Sequence, residues 1–310
     1  MRELDFIEWV RRQGRFPTAA VSVGPGDDCA VVTLGREKLL LTTDQVLDGV
    51  HFELREHGPR AAGRKAMARN LSDVAAMAAV PVAATATVAL PRGFSAAATK
   101  AIYRGLRQAG DEFDCPLVGG DLACWPGRLA ITVTVAARPG PAGVVLRRGA
   151  RAGDAICVTG RLGGAWRTRR HLRFAPRVRE ALLLAERYDL HAMIDLSDGL
   201  ATDLAHLCRA GRVGAIIRAG AVPVHRDARR LAADPLAAAL TDGEDYELLF
   251  TLPPAAARRL VADQPLGVPV TNIGTIVRCP RRRARGAPVT LIGLDGVARP
   301  LRLGGWEHRT

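Results

Sequence analysis

Acidic residues in six short blocks are the groups of this chain best suited to hold metal ions. The first-half blocks are Gly26-Asp27-Asp28 in a Gly/Pro turn, Thr42-Thr43-Asp44 at a predicted strand end, Asn70-Leu71-Ser72-Asp73 in a predicted helix, and Gly119-Gly120-Asp121 after a predicted strand. The second half adds the blocks Asp195–Leu200 and Asp242–Tyr246. Magnesium takes hard oxygen ligands and keeps water and substrate phosphates in its shell. The blocks therefore predict magnesium-assisted chemistry on phosphate groups.

Each block, taken alone, has a simpler explanation. An aspartate that follows a strand is more often a turn former or a helix cap than a metal ligand. Glycines beside the acids would, however, let phosphate oxygens approach the backbone closely. The hydroxyls of Thr42 and Thr43 would add further oxygen ligands. The number of such blocks favours a metal site, although their spacing along the chain does not show that they converge.

Common signatures of nucleotide-binding and phosphate-transferring proteins are absent from the sequence. There is no Gly-x-x-x-x-Gly-Lys-Ser/Thr segment, which argues against a P-loop enzyme. His225-Arg226-Asp227 matches the start of a protein-kinase catalytic loop, but Ala232 stands where that loop requires asparagine. Gly24-Pro25-Gly26 lacks the third glycine of a dinucleotide-binding fingerprint.

Composition predicts a cytoplasmic globular protein. The 310 residues are 48% hydrophobic and 24% charged, which is typical of an α/β protein with room for two domains. The N-terminus does not resemble a signal peptide, and no apolar run is long enough to span a membrane. The net charge of +13 comes mainly from scattered arginines and aromatics are only 5%, so a nucleic-acid site is disfavoured. The six cysteines lack zinc-site spacing and indicate reduced thiols.

Strand-like and helix-like patterns alternate in both halves and predict an α/β (α+β) fold with mixed sheets and packed helices. The Pro/Gly-rich stretch at 139–143 breaks every pattern and marks the predicted boundary between two domains, 1–138 and 144–310. The predicted elements include strands at 38–43, 82–90, 129–136, 155–159 and 246–252 and helices at 60–79, 95–109 and 178–186, with Ser95 as a helix cap.

Eight sequence blocks are spread in order over nearly the whole chain. The blocks are GPGDDCAVV (24–32), TTDQVLDGVHF (42–52), GRKAMARNLSDVAAMAAVP (63–81), LVGGD (117–121), RRGARAGDAICVTGRLG (147–163), AMIDLSDGLATDLAHL (192–207), GEDYELLFTLP (243–253) and GWEH (305–308). Together they resemble the thiamine-monophosphate kinases of the aminoimidazole-ribonucleotide-synthetase-like superfamily. NLSDVAAM and GEDYELLF are typical of this family rather than of the wider superfamily.

The resemblance implies a two-domain subunit, a homodimer formed by the N-terminal domains, and direct phosphoryl transfer from ATP to thiamine monophosphate, with several Mg²⁺ ions as cofactors. It implies no general acid or base, because the acceptor phosphate is already ionised at neutral pH. The implied metal ligands are Asp28, Thr42, Thr43, Asp44, Asp73, Asp121, Asp195 and Asp198. The implied ATP contacts are Phe113, Gly120, Asp121, Arg147 and Ser197, and the implied substrate contacts are His51, Glu244 and Trp306.

Several departures from the family pattern surround the implied site. Asp242 replaces the first glycine of the usual Gly-Gly-Glu-Asp sequence, Leu122 stands where threonine is usual, and Arg148 stands where serine is common. The helical segment that normally follows Gly163 is almost absent. Three alternatives therefore stay open at this point: a catalytically impaired nucleotide-binding homologue, a related enzyme with another phosphorylated acceptor, and an arginine-rich RNA-binding protein on the same scaffold.

Overall fold

The computed structural model describes residues 3–14, 17–279, 289–301 and 304, and it confirms the predicted α/β fold class. These residues form a six-stranded and a seven-stranded mixed sheet, with helices packed on both. The first-half elements are α1 (Glu3–Gln13), β1 (Val21–Val23), β2 (Ala30–Leu34), β3 (Glu37–Leu47), α2 (Leu54–Ala76), β4 (Ala79–Pro91), α3 (Ala96–Asp111), β5 (Leu117–Trp125) and β6 (Ala130–Pro139).

The second half alternates shorter strands and helices. Its elements are β7 (Ala155–Thr159), α4 (Val178–Arg187), β8 (Ala192–Asp195), α5 (Leu200–Gly211), β9 (Val213–Arg218), α6 (Arg226–Leu231), α7 (Pro235–Thr241), β10 (Leu248–Leu252), α8 (Pro254–Asp263), β11 (Val270–Arg278), β12 (Val289–Ile292) and β13 (Ala298–Pro300), with 3₁₀ turns at Arg170–Leu172 and Ala219–Ala221.

The first sheet has the order β1-β2-β3-β6-β4-β5, and all its pairs are antiparallel except β4 with β5. In the paired register Asp44 lies opposite Val133, Val133 opposite Ala86, and Ala86 opposite Gly120. Side chains of paired residues share a face of the sheet, and neighbours along a strand alternate between faces. The buried Val133 therefore assigns Asp44 to the inner face, toward the core that α2 and α3 cover.

Helices α2 and α3 cover this inner face, and their two backbones approach each other closely. A Cβ atom at Gly63 would lie 2.2 Å from the Ile102 carbonyl oxygen, and one at Gly105 would lie 2.0 Å from the Arg60 carbonyl oxygen. Only glycine permits so close an approach at these two positions. The contact fixes the position of α2, the helix that carries Asp73.

Helix boundaries follow local backbone chemistry. The predicted helix at 60–79 is observed as α2, which is interrupted at Gly58, with a φ of 77°, and ends at Ala76. It stops short of the predicted end because Ala78 adopts a φ of 51°, which is incompatible with helix. Ser95 caps α3 as predicted, since the Ala98 backbone N–H donates to Ser95 Oγ at 3.1 Å.

Two predicted strand ends are wrong. β3 continues to Leu47, so Thr42, Thr43 and Asp44 lie inside a strand, and β5 runs through the segment 119–121 instead of ending before it. The predicted strand at 246–252 begins only at Leu248. In the first two cases, pairing with β6 and with β4 extends the strand past the residues that suggested a loop. Such pairing is set by distant parts of the chain, which local sequence does not reveal.

The second sheet, in the order β13-β12-β9-β11-β7-β10-β8, is buried along β7 and β10. Ala75 and Ala78 from the first half pack into the same hydrophobic cluster as residues of β7 and β10, so the two halves share apolar contacts. Cys157 and Cys208 are buried. Among the described residues, no helix is both long and apolar enough to cross a bilayer.

Candidate active site

Three of the predicted metal ligands converge where the two halves meet. Asp28 lies in the turn between β1 and β2, Asp73 in the last turns of α2, and Asp195 at the end of β8. Each offers a carboxylate oxygen, and these oxygens all lie within 4.8 Å of one another. Asp195 is 2% exposed and Asp28 is 8% exposed, so the negative charges are gathered in a largely dehydrated place.

Hydroxyl groups orient two of the three carboxylates. Thr42 Oγ1 donates to Asp73 Oδ2 at 2.6 Å, and Ser72 Oγ donates to Asp195 Oδ2 at 2.6 Å. Thr42 comes from β3 and Ser72 from α2, so each bond joins two separate elements. The bonds fix the orientation of the carboxylates while leaving oxygen lone pairs on each for a further ligand.

Charge crowding perturbs the acids of this cluster. Burial raises the pKa of Asp195 to about 7, with a further contribution from the Asp28 carboxylate. Burial is also the main cause that holds the pKa of Asp73 well above its ordinary value, followed by the charges of Asp44, Asp195 and Asp28. Buried carboxylates this close to one another are stable when a cation lies between them. The donor set is made of oxygens and carries negative charge, and so it fits a hard cation such as Mg²⁺.

Arg147 closes the side of the cluster that Asp28 occupies. Its Nε and Nη2 atoms donate to the two oxygens of Asp28 at 3.0 and 2.5 Å, and its backbone N–H donates to Asp27 Oδ1 at 3.1 Å. Burial lowers the pKa of the Arg147 guanidinium, but the charge of Asp28 outweighs that effect and holds the pKa above its ordinary value. The side chain is still 21% exposed, so this cation borders both the carboxylates and solvent.

A line of charged side chains on α2 connects the cluster to Glu244. Lys65, Arg69 and Asp73 follow one another at four-residue spacing and therefore project from one side of the helix. Arg69 Nε donates to Asp44 Oδ2 at 2.9 Å. Lys65 Nζ forms an ion pair with Glu244 Oε2 at 2.5 Å. The side of α2 thus runs from one carboxylate site to another.

Lys65 connects the groups that surround Glu244. Its side chain is fully buried, and Nζ donates to the His51 carbonyl oxygen at 2.6 Å and lies 2.8 Å from His171 Nδ1. Burial lowers the pKa of Lys65 to about 8, while the nearby charge of Glu244 opposes that shift. The Trp166 ring stacks on His171 at 4.4 Å between centroids and lies 5.4 Å from Lys65 Nζ. An aromatic surface therefore lies beside the Glu244 carboxylate.

The loop at 242–247 is held in an unusual backbone conformation. Glu244 and Tyr246 have φ values of 60° and 51°, which are uncommon for residues other than glycine. Their backbone N–H groups donate to the Ser197 and Leu196 carbonyl oxygens, both at 2.8 Å. Strained backbone held by neighbouring structure is frequent at functional sites. The two loops that carry Asp195 and Glu244 are joined directly by these bonds.

Two of the departures from the family pattern, Asp242 and the shortened segment after Gly163, are accommodated by hydrogen bonds near Glu244. Asp242 adopts an ordinary helical conformation with a φ of −65°, so the backbone at this position does not require glycine. Asp242 Oδ2 accepts a hydrogen bond from the Gly164 backbone N–H at 3.1 Å. Asp245 accepts hydrogen bonds from the Gly163 backbone N–H at 2.8 Å and from Arg170 Nη2 at 2.9 Å. The shortened segment is therefore anchored to the acidic loop, and it supplies Trp166.

The remaining predicted ligands lie outside the three-carboxylate cluster. Thr43 and Asp121 occupy registers equivalent to Thr134 and Thr87, on the face of the first sheet opposite α2. Asp44 lies on the inner face, where it bonds Arg69. Asp198 lies on the turn after β8, where its backbone N–H donates to Asp203 Oδ2 at 3.1 Å.

Several of the predicted nucleotide and substrate contacts have structural roles of their own or lie outside the described residues. Gly120 lies on β5, where a Cβ would meet the Ala86 carbonyl oxygen at 1.9 Å, so strand packing alone requires glycine. The Phe113 ring lies 5.7 Å from the Arg179 guanidinium and packs on the core. His51 is buried, and its Nδ1 accepts a bond from the Leu47 backbone N–H at 3.1 Å. Trp306 lies outside the described residues.

Sequence reasoning missed Lys65, Arg69 and Trp166. A lysine and an arginine in a helix usually face solvent, and nothing local marks them as buried. For Lys65 and Arg69 the signal that was available is their four-residue spacing with Asp73 on an alanine-rich helix.

Family models and individual relatives match this chain over most of its length. Family models for the N-terminal and C-terminal domains of AIR synthase related proteins match residues 26–138 and 151–286. A thiamine-monophosphate kinase of Rhodopirellula baltica is 38% identical over 290 residues, which cover 89% of each chain. The enzyme of that name from Synechococcus elongatus is 36% identical over 82% of this chain and 84% of its own. The solved structure of AaThiL complexed with AMPPCP and TMP superposes with a TM-score of 0.83 at 29% identity, covering 99% of this chain and 97% of the other.

Proposed function

The chain belongs to the thiamine-monophosphate kinase family, and we propose that Asp28, Asp73 and Asp195 hold the magnesium ions of its reaction. It transfers the γ-phosphoryl group of ATP to thiamine monophosphate and forms thiamine diphosphate. The observation that carries the proposal is the approach of three carboxylates, from three separate elements, to within 4.8 Å.

The transfer joins two phosphate groups. An oxygen of the acceptor phosphate forms a bond to the γ-phosphorus of ATP, and the bond from that phosphorus to the β,γ-bridging oxygen breaks. ADP leaves with the electron pair of the broken bond, and a phosphate dianion has no proton to give up in the step. Bound Mg²⁺ supplies neutralisation of phosphate charge and alignment of the reacting groups. No side chain has to act as a base.

The protein's own groups supply position and complementary charge. Thr42 and Ser72 hold two of the carboxylates in fixed orientations through 2.6 Å hydrogen bonds. Arg147 borders the cluster with part of its guanidinium exposed, where a nucleotide phosphate could accept hydrogen bonds from it. Lys65 keeps Glu244 charged and in place, and the neighbouring charges lower the pKa of Glu244 to about 2 although burial alone would raise it. A charged carboxylate suits an acceptor that carries a cationic ring.

The homodimer is a further proposal, supported by strand β5. This strand lies at the edge of the first sheet, and almost all of its residues are exposed in the single chain. Val118, Leu122 and Trp125 are 65%, 56% and 45% exposed. Exposed apolar edge strands tend to pair with another chain. A second copy seated there would also cover Asp121 on the outer face of the sheet.

We also propose two domains and a cytoplasmic location. The division into residues 1–138 and 144–310 is supported by the two family models, which match 26–138 and 151–286. The cytoplasmic location rests on composition. The alternative of a catalytically impaired homologue loses its main support, because hydrogen bonds join the shortened segment to the loop that begins at Asp242.

An assay of the purified chain with ATP, Mg²⁺ and thiamine monophosphate tests the proposed site. We expect ADP and thiamine diphosphate in equal amounts, and no phosphorylation of thiamine itself. Asp73→Asn keeps the size of the side chain but removes one negative charge, so turnover should fall by at least a hundredfold. This estimate corresponds to about 3 kcal/mol of lost transition-state stabilisation.

Asp111→Asn is the matched control, because Asp111 is a carboxylate on α3 whose side chain is 56% exposed. Its turnover should equal that of the unmodified protein. If Asp73→Asn retains full turnover and an unchanged Mg²⁺ requirement, the metal assignment is wrong even though the family assignment stands.

A further inference from the structure

We propose that Arg69 binds the phosphate group of thiamine monophosphate and holds it in line with the γ-phosphoryl group of ATP. The proposal rests on the function given above and adds a residue that contacts the acceptor. Three observations on the described residues carry it: the position of Arg69 on α2, an unused hydrogen-bond donor on its guanidinium, and the charges that surround it.

Position is the first observation. Arg69 lies one helical turn from Lys65 and one from Asp73, a rise of about 6 Å in each direction. Lys65 is paired with Glu244, and Asp73 belongs to the three-carboxylate cluster. An acceptor that reaches from Glu244 toward the cluster has to place its phosphate between these two ends. Arg69 is the cationic side chain that α2 presents at that midpoint.

An unused donor is the second observation. Arg69 Nε donates a hydrogen bond to Asp44 at 2.9 Å, but the buried Nη1 atom has no hydrogen-bond partner among the described residues. A buried N–H group without a partner costs free energy that a bound anion can recover. The side chain is 15% exposed, so part of it borders solvent. Arginine is also the residue best shaped to donate two parallel bonds to a phosphate.

The surrounding charge is the third observation. Burial alone would lower the pKa of the Arg69 guanidinium, yet that pKa lies above its ordinary value. The groups that oppose this shift are Tyr246, whose own pKa is raised so that it is neutral at pH 7, and the carboxylates of Asp44, Glu244 and Asp73. The guanidinium is therefore close both to the acceptor-side loop and to the metal-side carboxylates. A fixed cation at this junction would offset the charge of two phosphates brought together.

Binding measured without turnover provides the test. Affinities for thiamine monophosphate and for thiamine, determined by titration calorimetry with Mg²⁺ and without ATP, separate the phosphate contribution from the ring contribution. For Arg69→Met we expect a loss of about tenfold to a hundredfold in affinity for thiamine monophosphate, as for a lost hydrogen-bonded charge. Affinity for thiamine, which has no phosphate, should stay within twofold.

Kinetics and a control variant complete the design. Arg69→Met should raise the KM for thiamine monophosphate by a similar factor and leave the KM for ATP within threefold. Arg60→Met, an exposed arginine of α2 whose guanidinium bonds Gln108, should change neither. If Arg69→Met does not fold, Arg69→Lys takes its place, because an ammonium can keep the Asp44 ion pair but cannot donate the second parallel bond.

The outcomes are separable from those of the function assay. Unchanged affinity for thiamine monophosphate in Arg69→Met, or in Arg69→Lys where only that variant folds, overturns the role of Arg69. Equal losses for thiamine and thiamine monophosphate also overturn it, since they indicate a general disturbance of the pocket. Failure of the unmodified protein to phosphorylate thiamine monophosphate would instead count against the function, whatever Arg69 does.

Discussion

Replacing Lys65 with methionine should destabilise the protein strongly. The Lys65 side chain is fully buried and its ammonium serves three groups: Glu244 Oε2 at 2.5 Å, the His51 carbonyl oxygen at 2.6 Å and His171 Nδ1 at 2.8 Å. Methionine has a similar volume, so the cavity term is small. The main cost comes from Glu244, whose side chain is only 16% exposed. Without Lys65 this carboxylate must either stay charged without its cation or take up a proton. Removing one member of a buried ion pair typically costs about 3–5 kcal/mol.

A double-mutant cycle separates the ion pair from general disturbance. Burial lowers the pKa of Lys65 to about 8, and attraction to Lys65 helps to lower the pKa of Glu244 to about 2. In Glu244→Gln the lysine can release its proton, so that variant should lose less stability than Lys65→Met. The variant that carries both changes contains no unpaired charge and should lose about 2 kcal/mol less than the sum of the single changes.

Urea denaturation at pH 7 in the presence of a chelator measures these free energies of unfolding for the metal-free protein. A loss below about 1 kcal/mol in Lys65→Met would refute the reasoning, because the buried carboxylate would then need no cation. Additive losses in the cycle would show that Lys65 acts through packing and not through Glu244.

Three further outcomes are expected. Gly63→Ala should lower the midpoint of thermal unfolding, because its Cβ would lie 2.2 Å from the Ile102 carbonyl oxygen; an unchanged midpoint would contradict the close packing of α2 on α3. Since burial raises the pKa of Asp195 to about 7, the native state holds a proton that the unfolded chain releases. The free energy of unfolding of the metal-free protein should thus fall as pH rises from about 4 to 7. Over the same range the affinity for Mg²⁺, measured by titration, should rise. Equal Mg²⁺ affinity at pH 5.5 and 7.5 would argue against the site. Light scattering of the unmodified protein should give twice the subunit mass. The Leu122→Arg variant, changed at a 56% exposed position of β5, should give the mass of one subunit. A dimer of Leu122→Arg would place the interface elsewhere.

Local sequence patterns were sufficient to predict the fold class and several individual helices and strands. The strand at 155–159 coincides with β7, and Ser95 caps α3 as its residue type predicts. These features depend on short-range rules: hydrophobic runs and a hydroxyl at a helix start. The strand ends at Asp44 and Gly119 were wrong because β3 and β5 are extended by hydrogen bonds to β6 and β4.

The same distinction applies to the candidate site, where some residues could be predicted from local sequence and others could not. Asp28, Asp73 and Asp195 were proposed as ligands from the family blocks, and the structure brings these three together. Lys65 and Arg69 could not be assigned from the helix alone, because their partners lie on other elements. A charged residue in a helical pattern predicts a solvated surface unless the position of its counter-ion is known.

The hydrogen bonds between the loop after β8 and the loop before β10 limit how substrate preference can change. Glu244 and Tyr246 are held by the carbonyl oxygens of Ser197 and Leu196, which immediately follow Asp195. A substitution that reshapes the pocket for a different acceptor will therefore shift the neighbouring carboxylate as well. New specificities on this scaffold should arise through paired substitutions in the two loops, and directed evolution that randomises one loop alone should recover mostly inactive enzymes.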